Sequence, residues 1–393
     1  MNSRYDNGVL TLFLEGHIDS SNAAKFENEA ITELNNYPGA EVILDCDKLE
    51  YISSAGLRVV LKIKKLRGAS VKLVNVSSEV YEILEVTGFS EMLEIHKKLR
   101  SVSVEGCSLL GQGANGKVYR FTPDEMIKVF RTGLTLDVIE EEREASKKAF
   151  LLGVPCAIPF DTVRCGDSYG TIYELLKAKT IAERIRENPE ELPELAEKSA
   201  KLLREMHEIE IPEGNMQRAD KKLHETIDAL TDDFTADEIE LMHRIYNTIP
   251  HMNRFIHNDY HPKNVMVSGG ELILIDLGDA GAGNPIIDII HSYMVYNLIG
   301  ADIRAEKPDE ICFVGITYAE AERFWKIFSR VYWGSEEKSK EMDEKVKPFA
   351  TMMYLTVSMA HPRLPKEYHP VYVDRVRKNV FPHAEKMLKA FEQ

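Results

Sequence analysis

Cysteine is scarce in this 393-residue chain: Cys46, Cys107, Cys156, Cys165 and Cys312 are odd in number, scattered and without a C-x-x-C spacing. That excludes a disulfide framework and a structural zinc site, and leaves reduced, mostly buried thiols. Long apolar runs are missing as well. No stretch approaches the roughly 20 residues that cross a bilayer, and no apolar core follows Met1-Asn2-Ser3-Arg4-Tyr5-Asp6. Membrane and secreted classes fall away, and a cytoplasmic protein is expected. Positive charge is in deficit, with 49 Lys and Arg against 64 Asp and Glu and a net charge of −15. Broad affinity for nucleic acid or anionic lipid is excluded on that count. No internal repeat and no Pro-rich, Gly/Ser-rich or single-sign tract marks a linker. The length exceeds what one core of ordinary size needs, so two or three domains are expected and their boundaries must come from pattern.

What is present falls into two successive patterns. Residues 8–18 read as a long strand or strand pair, and residues 20–36 as a helix with Ala23, Phe26, Ala30 and Leu34 on one stripe. Val42-Ile43-Leu44 is a short buried strand ending at Asp45. Ser53-Ser54-Ala55-Gly56 opens a second amphipathic helix through Leu57, Val60, Leu61 and Ile63, followed by the strand Val71-Lys72-Leu73-Val74 and a helix over 78–86. Such alternation makes an α/β domain over residues 1–100, carrying −3 of the charge; the remaining −12 lies beyond it. From Val102, strands over 102–104, 110–119 and 126–130 and an acidic helix over 137–152 predict a sheet-rich lobe, residues 101–180. Residues 181–393 read as a helical lobe interrupted by one hairpin, Val265-Met266-Val267 to Leu272-Ile273-Leu274-Ile275. The expected fold class is an α/β N-terminal domain followed by an α+β bilobal domain.

The second pattern carries chemistry. Gly111-Gln112-Gly113-Ala114-Asn115-Gly116-Lys117-Val118 fits G-x-G-x-x-G-x-V, in which Gly111, Gly113 and Gly116 let backbone N–H groups approach phosphate oxygens. A dinucleotide-binding turn would be followed by a helix. Here a strand follows, Met126-Ile127-Lys128-Val129-Phe130, and places Lys128 to reach phosphates from beneath the loop. Glu140, Glu141, Glu142 and Glu144 follow on a helix. Asp137 and Glu140 read as a capping box, and Glu144 is chosen as the partner of Lys128. Asp259 and Asn264 stand as D-x-x-x-x-N, and Asp276 ends an apolar strand. A carboxylate beside an acceptor hydroxyl receives its proton, while an amide and a second carboxylate supply hard oxygen ligands to Mg²⁺. His257 and His261 have the spacing of two zinc ligands on a helix, but Pro262 opposes a helix there.

With these residues the chain resembles the protein-kinase-like fold over residues 101–393, and more closely its aminoglycoside phosphotransferase and choline kinase branch. The resemblance implies ATP or GTP bound under Gly111, Gly113 and Gly116, with Lys128 on its phosphates and Glu144 holding Lys128. It also implies Asp259 as catalytic base, and Asn264 with Asp276 holding Mg²⁺. Tyr173-Glu174-Leu175-Leu176 is similar to the interlobe hinge, whose backbone at Glu174 and Leu176 would meet the base. Asp288, in Asn284-Pro285-Ile286-Ile287-Asp288, would brace the catalytic loop. Asn258 stands where protein kinases carry Arg in H-R-D, and few residues separate Asp276 from Pro285. That favours a small-molecule hydroxyl acceptor over a protein. Residues 188–250 and the C-terminal helices are expected to wall the acceptor site. There Asp232, Asp233, Asp237, Glu238 and Glu240 would attract an amine or form a solvated face. Phe324, Trp325, Phe328, Val331, Tyr332 and Trp333 would cage a quaternary ammonium or, as their helical spacing favours, form a core stripe.

Gly16-His17-Ile18-Asp19 and Leu44-Asp45-Cys46 through Ser53-Ser54-Ala55-Gly56-Leu57 resemble the STAS domain of anti-sigma factor antagonists, over residues 1–100. In that family a serine in D-S-x-G is phosphorylated to switch binding of an anti-sigma partner. The matching residue is Ser54, preceded by Ser53 in place of Asp; the alternative role for either serine is to cap the helix. The leading expectation is an ATP-dependent phosphotransferase acting on a hydroxyl, with a STAS regulatory module. The alternative is a partner-switching regulator with a nucleotide-sensing kinase-like domain. A third reading makes Ser54 itself the acceptor.

Overall fold

The computed structural model describes residues 1–68, 71–113, 115–361 and 364–391. The chain divides into two compact units, Met1–Ser103 and Val104–Gln393.

In the first unit, strands β1 (Asn2–Asp6), β2 (Val9–Ile18), β3 (Glu41–Ile52), β4 (Val71–Val76) and β5 (Glu94–Lys97) lie side by side in that order. β1 and β2 are antiparallel, and β2 to β5 run parallel. Parallel neighbours need crossovers, which α1 (Ala23–Asn36), α2 (Ser54–Arg67) and α3 (Ser78–Val86) supply. The stripe read from sequence is the one α1 buries: Ala23, Phe26, Ala30 and Leu34. Two features depart from expectation. β1 is exposed along its whole length, so no apolar alternation announces it. β3 does not end at Asp45 but runs on to Ile52, because β2 continues beside it through the pairs Glu15↔Lys48, Gly16↔Leu49 and Ile18↔Ile52.

After the two-residue strand β6 (Ser101–Val102), the second unit opens with β7 (Leu109–Gln112), β8 (Gly116–Arg120), β9 (Glu125–Phe130), α4 (Leu136–Leu151), β10 (Pro159–Cys165) and β11 (Ser168–Glu174). β10-β11-β9-β8-β7 is an antiparallel run of neighbours, with β9 and its Lys128 at the centre. The rest is mainly helical. The expected hairpin is there as Val265–Ser268 and Glu271–Leu274, joined by Lys179–Thr180. A second antiparallel pair, Arg254–Ile256 with Gly281–Gly283, brackets the segment between them. The aromatic residues of the helix Tyr318–Trp333 settle into the core: Phe324, Trp325, Phe328 and Tyr332 are buried, which leaves no open cage. No helix among the described residues is long and apolar enough to cross a membrane.

Candidate active site

The glycines of the first loop play two different parts. At Gly116 a Cβ would lie 2.2 Å from the Val129 carbonyl oxygen, so glycine is required for β8 to pack on β9. At Gly111 and Gly113 a Cβ would meet nothing within 4 Å. Packing does not demand glycine there, and the open space lies on the loop closed by the Gly113 N–H to Gly116 carbonyl hydrogen bond of 2.9 Å. A loop built this way fits a nucleotide's phosphates, which need bare backbone within reach.

Lys128 is mostly buried on β9, and its Nζ donates to Glu142 Oε1 at 2.6 Å and to Asp276 Oδ1 at 2.9 Å. Burial works against its charge, but the carboxylates of Glu142 and Asp276 outweigh it and hold the ammonium protonated well above the usual lysine value. Glu144 is not its partner. That side chain receives Arg143 Nη2 at 2.7 Å, while Glu142 lies on the buried stripe of α4 with Ile139, Ala145 and Ala149. Two residues along a helix turn a side chain through roughly 200°, which places Glu144 on the far face. Nor do Asp137 and Glu140 form a capping box. The helix starts one residue earlier than read, at Leu136 after Thr135, and Glu140 accepts from Arg143 Nε at 3.0 Å.

The segment after Ile256 is bent, not helical, so His257 and His261 do not share a helix turn. Asn258 adopts φ +64°, a left-handed conformation that Asn tolerates. Asp288, fully buried, fixes this bend: Oδ2 accepts from His257 N–H at 2.8 Å and Oδ1 from Asn258 N–H at 2.6 Å. His207 Nε2 donates to the same Oδ2 at 3.0 Å, and His207 Nδ1 lies 2.7 Å from the Tyr332 hydroxyl. Asp288 thus occupies the bracing position expected of it. Burial would raise its pKa, but the bonds from His207 and the His257 backbone hold it below the usual carboxylate value.

Asp259 and Asn264 close on each other across one turn. Asn264 Nδ2 donates to Asp259 Oδ2 at 2.8 Å and to the Asp259 carbonyl at 3.0 Å. With the amide nitrogen engaged, Asn264 Oδ1 is left as its acceptor. The Ile275 N–H donates to the Asn264 carbonyl at 3.0 Å, which brings Asp276, at φ +60°, beside Asn264. An amide oxygen and a half-exposed carboxylate form a hard donor set that fits Mg²⁺. Among the described residues no group of three or more His, Cys, Asp or Glu side chains is placed to hold a metal ion, so other ligands would come from phosphate and water.

Three imidazoles surround Asp259. His261 Nε2 lies 3.3 Å and His291 Nε2 3.8 Å from Oδ1, and His257 is next but one in the chain. Burial would raise the Asp259 pKa; the imidazoles, with the hydrogen bond from His261, outweigh it and keep the carboxyl below the usual range. His207 and His291 escaped the sequence reading. The available signal for His291 was its place three residues after Asp288, on one face of the helix Ile286–Tyr293. At the hinge, the Glu174 and Leu175 N–H groups are taken by the carbonyls of Ile158 and Asp124. Among the described residues Leu176 N–H has no backbone partner.

The sequence of this unit matches a known family. The sequence model of the phosphotransferase enzyme family covers residues 106–321. The chain belongs to that family. The STAS domain model covers residues 1–102, and the first unit is a STAS domain. A Bordetella bronchiseptica protein named "Putative anti-sigma factor antagonist BtrV" is 37% identical over 92 residues, 23% of this chain and 78% of that one. Two solved phosphotransferase-type structures align at low identity. The ADP-bound aminoglycoside phosphotransferase APH(2'')-Ib is 16% identical, covering 80% of this chain and 99% of that one, with a TM-score of 0.45. A choline/ethanolamine kinase family protein from Mesorhizobium loti is 13% identical, covering 72% and 92%, also at 0.45. In the STAS unit of this phosphotransferase-family chain, Ser53 is the N-cap of α2, its Oγ accepting from Ala55 N–H at 3.2 Å and Gly56 N–H at 3.5 Å. Ser54 is the first helical residue and is exposed. Of the two serines it is the one with a free hydroxyl position.

Proposed function

We propose that this chain is an ATP- or GTP-dependent phosphotransferase acting on the hydroxyl of a small molecule, with its STAS domain as a regulatory or docking module. The observation that carries the reading is the meeting of four polar side chains from distant segments. Lys128 touches Asp276 at 2.9 Å, Asn264 touches Asp259 at 2.8 Å, and the Asn264–Ile275 backbone bond ties the two pairs together. In this reading the backbone around Gly111, Gly113 and Gly116 and the ammonium of Lys128 hold the nucleotide's phosphates, and Leu176 meets the base. Asn264 and Asp276 would hold Mg²⁺, which when bound neutralises charge on the phosphates. Asp259 accepts the hydroxyl proton as the acceptor oxygen bonds to the terminal phosphorus and the bond to the diphosphate oxygen breaks; the products are phosphorylated acceptor and nucleoside diphosphate. The imidazoles that keep Asp259 ionised keep it ready for that proton.

Asp259→Asn tests this directly. Transfer should fall by about 10²–10⁴-fold, the usual contribution of a general base, while magnesium–nucleotide affinity by calorimetry stays within a factor of two. Unchanged turnover would remove Asp259 from the mechanism.

The exposure of Ser54 at the start of α2 favours a second reading, in which the STAS domain engages an anti-sigma-like protein and Ser54 is the modified residue. Labelled ATP followed by peptide mapping of the full chain decides whether Ser54 is an acceptor for this chain's own activity. No label on residues 53–54 discards that case.

A further inference from the structure

Two features of the sequence suggested a cationic acceptor: the acidic residues of 232–240, of which Asp233 and Glu238 are engaged while Asp232, Asp237 and Glu240 are exposed, and the aromatic stripe, which is closed to one. The acidic residues of residues 232–240 include structural clamps: Glu238 accepts from Arg377 at 2.6 and 2.9 Å, and Asp233 lies 2.9 Å from His369 Nδ1. The aromatic stripe on the helix Tyr318–Trp333 is buried. Beside the Asp259 carboxylate there is also a positive charge, that of Lys263. This lysine follows Asp259 by four residues and, among the described residues, has no carboxylate within ion-pair distance.

Lys263 is nonetheless held in place. Its stem packs against Gly315, at φ +86°, where a Cβ would sit 2.9 Å from Lys263 Cγ and 3.0 Å from the Ala182 methyl. Its Nζ lies 4.5 Å from the centre of the Phe313 ring. Phe313 is 43% exposed, and its ring meets His261 edge-on at 5.4 Å. His261 in turn stands 3.3 Å from Asp259 Oδ1. Asp259, His261, Phe313 and Lys263 therefore form one continuous wall, with a proton acceptor at one end and an unpaired ammonium at the other.

We infer that Lys263, held on Phe313, is an anion subsite beside Asp259, and that the acceptor is a hydroxyl compound carrying a carboxylate or phosphate group. The inference rests on the phosphotransfer reading and narrows it. An amine placed at the Lys263 end of this wall meets a like charge. An anion there meets the ammonium held on Phe313, and its own hydroxyl is left toward Asp259. Such a lysine could instead serve the terminal phosphate of the nucleotide, and the two sources separate in kinetics.

The test uses the full chain with magnesium–ATP and three sets of hydroxyl compounds at equal concentration. The anionic set is glycerate, glycerol 3-phosphate and ribose 5-phosphate; the neutral set is glycerol and ribose; the cationic set is choline and gentamicin. Acceptor-stimulated ADP formation should appear with a member of the anionic set. Lys263→Gln should raise KM for that compound at least tenfold and leave KM for ATP within twofold, and Lys263→Arg should restore most of the loss. Stimulation by the neutral or cationic set alone overturns the subsite while leaving phosphotransfer standing. So does a Lys263→Gln effect confined to KM for ATP, which would assign the lysine to the nucleotide. Failure of the wild-type chain to bind magnesium–ATP in calorimetry overturns the phosphotransfer reading, and this inference with it.

Discussion

The STAS unit and the phosphotransferase unit bury polar groups in opposite measure. Among the described residues of the first, Thr11 is the buried polar side chain, and charged groups stay at the surface. The second buries Glu142, His207, His257, His261, Asn264 and Asp288, each bonded to or beside Lys128 or the Asp259 loop. Burying an ionisable group is costly unless it is paired and hydrogen-bonded, so it persists where the resulting geometry is used. The first unit is a platform with an apolar interior that displays Ser54. The second is an enclosure for charge.

Removing a buried charge should therefore affect the second unit most. Asp288→Ala leaves two backbone N–H groups and His207 without their acceptor, and should cost that unit about 3–5 kcal/mol in denaturant unfolding while the STAS transition stays put. Acid sharpens the same contrast. Asp259 and Asp288 have folded pKa values below their unfolded ones, so their contribution is complete above about pH 4 and is lost as pH falls further. The lowered carboxyls of the STAS unit, such as Asp19 and Glu79, are fully exposed and contribute little. Stepwise acidification followed by unit-specific probes should show the phosphotransferase unit yielding first. Equal loss would break the comparison.

The next effect is on activity. Glu142→Gln weakens a charge-assisted bond of the kind worth about 1.5–3 kcal/mol and should lower kcat/KM roughly 10- to 100-fold, whereas Glu144→Gln should change it less than twofold. Glycines give a third pair. Gly56→Ala puts a Cβ 2.7 Å from Ile52 Cγ1 and 2.8 Å from Ile18 Cγ2, and should destabilise the STAS unit by about 1–3 kcal/mol without touching nucleotide affinity. Gly113→Ala should do the reverse, weakening nucleotide binding in calorimetry with both unfolding transitions unmoved. The smallest effect belongs to the cap. Ser53→Ala should cost about 1 kcal/mol in STAS unfolding, and Ser54→Ala less than half of that.

Local chemistry was legible in the sequence. The stripe of α1 could be read because a helix repeats it four times, and D-x-x-x-x-N because a single turn closes Asn264 on Asp259. The second half of β3 could not, since residues 45–51 are largely polar and are held as a strand by the neighbouring β2. Glu142 was readable from its phase with Ile139 and Ala149 but was passed over for a neighbour of the same chemistry. The contact between Lys128 and Asp276 spans 148 residues, and no spacing rule reaches that far; family resemblance alone brought them together.

The clamp made by Asp288 has a consequence for the order in which the protein is made. His257 and Asn258, with Asp259 and Asn264 just after them, leave the ribosome before the residue that holds the backbone of the first two, which arrives some 30 positions later on the helix Ile286–Tyr293. A nascent chain halted short of that helix carries the complete reactive motif yet lacks the carboxylate that fixes its bend, so competence comes on only once the downstream helix docks.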